Sequence, residues 1–267
     1  MPINHQTILL TGAASGIGRA LLRALVSRYT GLTIVAADRD EPGLMAVLDQ
    51  LPITPANRVL PVVGDLADPA VIDQVFAVAG APTNHVALVF ANAGFAYYET
   101  ADTPDWERNE RIFRVNTLAP LYLYQKTRAL AAGRPFRVVI TASAMAHLAI
   151  PGYALYSATK AALDRFRDAV RFEPGAARTL TLVYPVATRT NFFARATARQ
   201  PPVTPWPSQT PEHVADAILR GVERRADRIY PSVLFRLARL PLGLFEGIGS
   251  LYQRYYARQL NRWLGHR

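Results

Sequence analysis

Thr11-Gly12-Ala13-Ala14-Ser15-Gly16-Ile17-Gly18 separates two runs of different periodicity. Before it, residues 7–10 (Thr-Ile-Leu-Leu) are short, apolar and β-prone; after it, Ala20, Leu21, Leu22, Leu25 and Val26 recur at helical spacing. A strand that enters a helix through a turn lacking side chains lets the backbone approach a pyrophosphate. The unpaired N–H groups of the helix N-terminus then face the anion. The spacing is G-x-x-x-G-x-G, a departure from the commoner G-x-G-x-x-G dinucleotide fingerprint. A plain glycine-rich turn is the alternative, and the flanking strand and helix weigh against it.

The same rhythm continues. Residues 32–37, 59–63, 85–90, 137–141 and 179–184 read as further strands, with a short last one at 229–230. Helical segments lie between them, among them 42–51, 69–78, about 104–131, 156–172 and 211–225. Strands alternating with helices predict a parallel sheet covered on both faces, in one domain. Ligands of such sheets bind beyond the carboxyl ends of the strands. Asp38, Asp65-Leu66, Asn92-Ala93-Gly94, Ser143 and Pro185 all lie at such strand ends. Asp38 can accept hydrogen bonds from a ribose diol and would repel a 2′-phosphate; its bland alternative is a helix N-cap. Arg39 pulls the other way, since a guanidinium can hold that phosphate, whereas Ser15 adds no cation. The balance predicts NAD(H), with NADP(H) second.

Tyr156 and Lys160 stand four residues apart on a predicted helix, so they project from one face. A free phenol titrates near pH ~10, and a neighbouring ammonium is expected to lower that value. Such a pair can exchange a proton with a substrate oxygen. Alone, this spacing also arises by chance in many helices.

Composition removes other chemistry. Cysteine is absent, so there is no disulfide, thiolate metal site or thiol nucleophile, and a cytoplasmic location is expected. The formal charge is +10, almost all of it Arg, with Lys only at 126 and 160. No basic run is dense enough for a nucleic-acid arm, so the charge reads as a solvated surface. Residues 1–6 lack the pattern of a signal peptide, and no charge-free apolar stretch is long enough to span a bilayer. His147 has no second ligand at useful spacing, so no metal is expected and a polar rim position is.

Together Thr11–Gly18, Ala91–Gly94, Asn116, Ser143 and Tyr156/Lys160 resemble the short-chain dehydrogenases/reductases, in order, over residues 7–231. The resemblance implies a single-domain α/β fold, a Rossmann-like doubly wound parallel sheet of about seven strands with helices on both faces. It implies that Gly12, Ser15, Gly16, Ile17 and Gly18 surround the pyrophosphate and that Asp38 takes the adenosine ribose. Asp65 and Leu66 would border the adenine, and Asn92, Ala93 and Gly94 would support the cofactor. Tyr156 would be the general acid/base. Lys160 would bond the nicotinamide ribose and depress the Tyr pKa. Ser143 would orient the substrate oxygen, Asn116 would hold a relay water, and Pro185 and Thr190 would border the nicotinamide. Hydride transfer to a carbonyl builds an alkoxide, and the two hydroxyls of Ser143 and Tyr156 suit that charge. Two departures stand out. Ala91 replaces the family's first Asn, and Val186 replaces a Gly after Pro185, which predicts a different path for residues 186–191.

The implied activity is an NAD(P)-dependent interconversion of a secondary alcohol and a ketone. An epimerase or dehydratase with bound NAD, or a non-catalytic NAD(P)-binding regulator, is the alternative. Relatives are often homodimers or homotetramers. Phe95, Tyr97, Tyr98, Met145, His147, Leu148, Phe192, Phe193 and Trp206 would face a lipophilic substrate, unless they are ordinary core. Residues 1–231 form the expected catalytic domain and 232–267 a basic extension. The extension carries six arginines, at 236, 239, 254, 258, 262 and 267, against Glu246. After Pro241 and the glycines at 243, 247 and 249, Ile248, Leu251, Tyr252, Tyr255 and Trp263 predict one helix face and Arg254, Arg258 and Arg262 another. That helix could lie on a membrane surface, cover the substrate pocket or meet a second subunit.

Overall fold

Each apolar run becomes a strand because its alternate side chains find a helix layer on each side. In the computed structural model, which describes residues 2–81, 84–102, 104–197, 205, 207–244 and 246–265, the first strand β1 (Thr7–Thr11) sends Ile8 and Leu10 to one core and Leu9 to the other. The chain continues through α1 (Gly16–Arg28), β2 (Thr33–Asp38), α2 (Glu41–Asp49), β3 (Arg58–Val63), α3 (Pro69–Val78) and β4 (Val86–Ala91). Then come α4 (Trp106–Phe113), α5 (Ala119–Ala131), β5 (Arg137–Thr141), α6 (Ala154–Val170) and β6 (Leu180–Val183). The sequence closes with β7 (Ala187–Thr188), β8 (Ser208–Gln209), α7 (Pro211–Glu223), β9 (Arg228–Ile229), α8 (Val233–Leu244) and α9 (Glu246–Gly265). Seven strands form one parallel sheet in the order β3-β2-β1-β4-β5-β6-β9. Pro61 sits in β3, the edge strand, where a missing N–H costs no ladder bond. The order reverses direction beside β1, which places the ligand crevice between the ends of β1 and β4.

Helix starts follow local capping chemistry. Asp40, Asp68, Asp105 and Thr210 each accept a backbone N–H of the first turn of α2, α3, α4 and α7. The cap of α2 is therefore Asp40, which leaves Asp38 for another task. Most strand and helix ends lie within a residue or two of the expected ones.

Two expectations are corrected and one element is added. The helix expected over 104–131 begins at Trp106 and is interrupted by a π turn, Arg114–Leu118, that carries Asn116. Pro120 supplies the cause: it has no N–H for the Asn116 carbonyl, and its ring would clash there in a regular α-helix. The turn widens instead, with the Ala119 N–H reaching back to the Arg114 carbonyl. A second, two-stranded ladder pairs Ala187-Thr188 with Ser208-Gln209, which the sequence pattern did not announce. Finally, Pro241 and Gly243 do not precede the C-terminal helix; they lie inside α8, and Gly247 and Gly249 lie inside α9.

Candidate active site

A cavity of about 650 Å³ opens along the carboxyl edge of the sheet. Every sequence-predicted cofactor or catalytic residue lines it except Gly18 and Asn116, which stand directly behind it. At one end lies the turn between β1 and α1. Gly12 has a positive φ of +72°, and a Cβ there would come 2.9 Å from Ala93 Cα. Ser15 caps α1 without a side-chain hydrogen bond, and the first turn of α1 carries no acid. Its N–H groups thus face the cavity without a competing negative charge, which fits a pyrophosphate.

Asp38 ends β2 in the cavity wall. Its Oδ2 accepts the Ala14 N–H at 2.9 Å and its Oδ1 the Asp40 N–H at 3.0 Å, so the carboxylate is held in place. Arg39 is exposed, with its guanidinium 5.8 Å from the Phe95 ring centre. Burial works against the Asp65 carboxylate, but the Ala67 N–H and the Arg111 guanidinium outweigh it and hold its carboxyl below the usual range. Asn92 ties three strands together at their ends. Its Nδ2 donates to the Thr11 carbonyl at 3.2 Å, and its Oδ1 accepts the Thr141 hydroxyl at 3.1 Å. The Thr11 hydroxyl accepts the N–H groups of Asn92 and Ala93, both at 3.1 Å. Ala91, where the family has Asn, is a buried strand residue, and Asn92 makes these contacts alone.

At the other end, Ser143 follows β5 and Tyr156 and Lys160 project from α6. The Ser143 hydroxyl accepts the Met145 N–H at 3.1 Å and hydrogen-bonds Tyr156. The Tyr156 ring packs edge-on against Phe192, 5.4 Å between centres. Lys160 Nζ donates to the Thr141 carbonyl at 2.8 Å and lies 5.7 Å from the Tyr156 ring centre. Asn116 is wholly buried. It pins Phe95 through both of its side-chain ends, at 3.0 Å and 2.8 Å, and donates to Thr159 Oγ1 at 3.2 Å. Thr190, despite the Val186 substitution, reaches the glycine turn: its Cγ2 is 3.1 Å from where a Cβ on Gly16 would stand. Val186 is absent from the residues with positive φ, so the segment accommodates a side chain without strain.

Proton affinities differ from the sequence expectation. Burial pushes the Tyr156 phenol up to about 12, against the lowering effect of the Ser143 hydrogen bond. Desolvation lowers Lys160 to about 7. A dry pair disfavours both charges, and this outweighs the attraction that was expected to depress the phenol. The direction gives a testable result. Lys160 is ammonium below about pH 7 and free amine above it. The other lysine, Lys126, is ion-paired with Asp73. Amine acylation followed by peptide mapping should therefore show Lys160 labelling rising through pH 7 and saturating by pH ~9, with protection by NADH. Labelling that rises only near pH ~10.5 would show an ordinary, hydrated lysine.

The substrate end needs two corrections. Phe95, Tyr97, Met145, Leu148, Phe192 and Phe193 line the cavity as expected, but Tyr98 and His147 do not. Tyr98 packs instead on Tyr153 and Trp263, with ring centres 4.9 Å and 5.0 Å away. His147 stacks on Tyr184 at 4.8 Å, and its Nδ1 lies 3.9 Å from the buried carboxylate of Asp164. Asp164, which sequence reasoning missed, also accepts the Tyr184 hydroxyl and Arg165. Its one available signal was position, a turn beyond Lys160 on the same helix face. Thr11 stood at the head of the glycine motif without a role of its own, and Thr141 and Thr159 were missed, because nothing in a lone Thr marks it as a support. Trp206 lies outside the described residues.

The C-terminal helices cover part of the cavity. Leu234, Phe235, Ala238 and Tyr252 line it, and Gln253 Nε2 donates to the Ala149 carbonyl at 3.2 Å. On α9 Tyr252, Tyr256, Leu260 and Trp263 pack inward, while Tyr255, expected on the apolar face, is 53% exposed, and the side chains of Ile248 and Leu251 lie outside the described ones. Arg254, Arg258 and Arg262 face outward as expected. No helix among the described residues is long and apolar enough to cross a membrane.

Comparison with known proteins bears on this geometry. The family model for short chain dehydrogenases matches residues 6–201. A hydroxynaphthalene reductase-like protein of Metarhizium anisopliae is 26% identical over 191 residues, 70% of each chain. A short-chain dehydrogenase from Sphingobium yanoikuyae, solved with NADPH, is 26% identical; the match covers 92% of this chain and 95% of that one, with a TM-score of 0.73. One from Burkholderia phymatum, solved with NAD, superposes with a TM-score of 0.74 over 90% of this chain and 93% of that one, at 20% identity.

Proposed function

The chain belongs to the short-chain dehydrogenase family, and we propose that it transfers a hydride between a nicotinamide cofactor, preferentially NAD(H), and a lipophilic secondary alcohol or ketone. The observation that carries this is the convergence of Ser143, Tyr156 and Lys160 on one cavity whose far end is the glycine turn. When bound, the nicotinamide supplies or accepts the hydride. The chain does the rest. Ser143 and Tyr156 aim two hydroxyls at the oxygen on which charge develops, in a cleft that α8 and α9 partly cover. The high proton affinity of Tyr156 keeps its proton in place at neutral pH, ready to be given to an alkoxide. Lys160, anchored on the Thr141 carbonyl, is placed to replace that proton. The Asn116 carbonyl, which Pro120 cannot satisfy, is the place for the relay water. The lining of Phe95, Tyr97, Phe192, Phe193 and Tyr252 suits a flat or bulky apolar body, in keeping with the likeness to a hydroxynaphthalene reductase-like protein. Exposed Trp106 on α4, Leu118 in the π turn and Phe172 just beyond α6 support self-association into a dimer or tetramer.

Preference for NAD(H) follows from the fixed Asp38 carboxylate, which a 2′-phosphate would have to approach. A screen of ketones and alcohols of graded size, following nicotinamide absorbance with each cofactor, tests both parts. The expected result is turnover that improves with apolar size, and kcat/KM about tenfold or more higher with NADH. Asp38→Ser should erase that ratio. No turnover with any carbonyl or alcohol would reject the activity, and a wild-type preference for NADPH would show that Arg39 outweighs Asp38.

A further inference from the structure

α8 has two unlike sides. Phe235 is buried in the main core and Ala238 faces the cavity. Val233, Leu234 and Leu237 are 58%, 51% and 64% exposed, with the exposed Arg236 among them. Positions i, i+1 and i+4 of a helix form one patch, so three aliphatic side chains lie together in water. Leu234 belongs to both surfaces: it is half exposed and it also lines the cavity. The apolar patch therefore runs into the mouth of the site. The segment that carries it is one-sided in charge. Residues 232–267 hold six arginines against one glutamate, and Arg254, Arg258 and Arg262 line the outer side of α9 at one-turn intervals.

We infer that the Val233–Leu237 face of α8 docks on an anionic lipid bilayer and opens the cavity to a lipophilic substrate held in that bilayer. Aliphatic side chains enter the headgroup boundary while arginines meet anionic headgroups; an apolar patch that holds Arg236, on a chain segment rich in arginine, fits that pairing. A second copy of this chain fits it less well. A two-fold contact through the same patch would bring two arginine-rich tails together. The contact is peripheral, since α8 is too short to span a bilayer. Docking rests on the exposed face alone, whereas delivery of substrate also rests on the proposed function.

The test is co-sedimentation of the full chain with vesicles of phosphatidylcholine alone or mixed with phosphatidylglycerol. The expected result is binding to the anionic vesicles, weakened by salt, and at least about tenfold weaker for V233S/L237E and for R254E/R258E/R262E. Val233 and Leu237 do not line the cavity, so V233S/L237E should keep its rate on a water-soluble ketone. It should lose rate only on a ketone supplied in anionic vesicles. Absence of vesicle binding, or wild-type binding by V233S/L237E, overturns docking whatever the enzymatic result. Light scattering gives the remaining outcome: if V233S/L237E dissociates a wild-type oligomer, the face is a subunit contact and the inference fails. Docking with no turnover of any ketone would leave the surface assigned and reject the activity instead.

Discussion

Tyr156→Phe is expected to lower kcat by about 10²–10⁴-fold, the range for removing a positioned acid/base group. NADH affinity should stay within about twofold, since the ring and its packing remain. The hydroxyl is the only atom lost. The edge-on contact with Phe192 at 5.4 Å is made by the ring, and Phe keeps it. What disappears is the proton source and one of the two hydroxyls near the reacting oxygen. Ser143→Ala removes the other and should cost less, because Tyr156 would still donate both hydrogen bond and proton. The two losses should not add, since both serve one oxygen. Single-turnover oxidation of bound NADH separates chemistry from product release. Wild-type rates in the Phe variant would remove Tyr156 from the reaction, and a matching loss of NADH affinity would make its role structural.

The parts of this site that could be seen in the sequence are those whose chemistry is local. A strand, a glycine turn and a helix stand next to one another in the chain, so Thr11–Gly18 carried its own context. Tyr156 and Lys160 share a helix face by spacing alone. Desolvation is not local. Lys160 is dry because segments from β4, β5 and α6 close over it, and no spacing reveals that its amine falls to about 7. The π turn had a signal that helical periodicity hid, namely Pro120 four residues after Asn116. Neighbouring residues also diverge. Tyr97 enters the cavity while Tyr98 turns to Trp263, and Tyr256 is buried while Tyr255 is exposed. A one-residue choice of this kind depends on the partner element, which lies far away in sequence.

The glycine turn shows the same limit from the other direction, because its three glycines look alike in sequence and differ in structure. Gly18→Ala is expected to be the most damaging Gly→Ala change among the described glycines. On helix propensity alone it would help, since Ala is favoured over Gly by about 1 kcal/mol inside a helix. Packing reverses the sign. A Cβ on Gly18 would stand 1.9 Å from the Gly12 carbonyl oxygen and 2.8 Å from Asn92 Nδ2. The first is backbone and cannot swing away. Gly12 is itself held by its N–H bond to the Ala37 carbonyl at 2.8 Å, and Asn92 by its bonds to Thr11 and Thr141. Overpacking of a rigid site costs about 1–3 kcal/mol and sometimes more, so the net loss should reach about 2 kcal/mol or beyond. In a chain of this size that lowers Tm by roughly 4–8 °C. Relief requires α1 to move away from the turn, which shifts the N–H groups that face the cavity. NADH affinity should therefore fall by about tenfold or more in molecules that remain folded. Calorimetry and NADH fluorescence titration of the same sample measure the two effects. Unchanged Tm and NADH affinity would show that the Gly12–Gly18 contact gives way to a methyl group, and that the pyrophosphate end of the cavity is softer than its bonded neighbours imply.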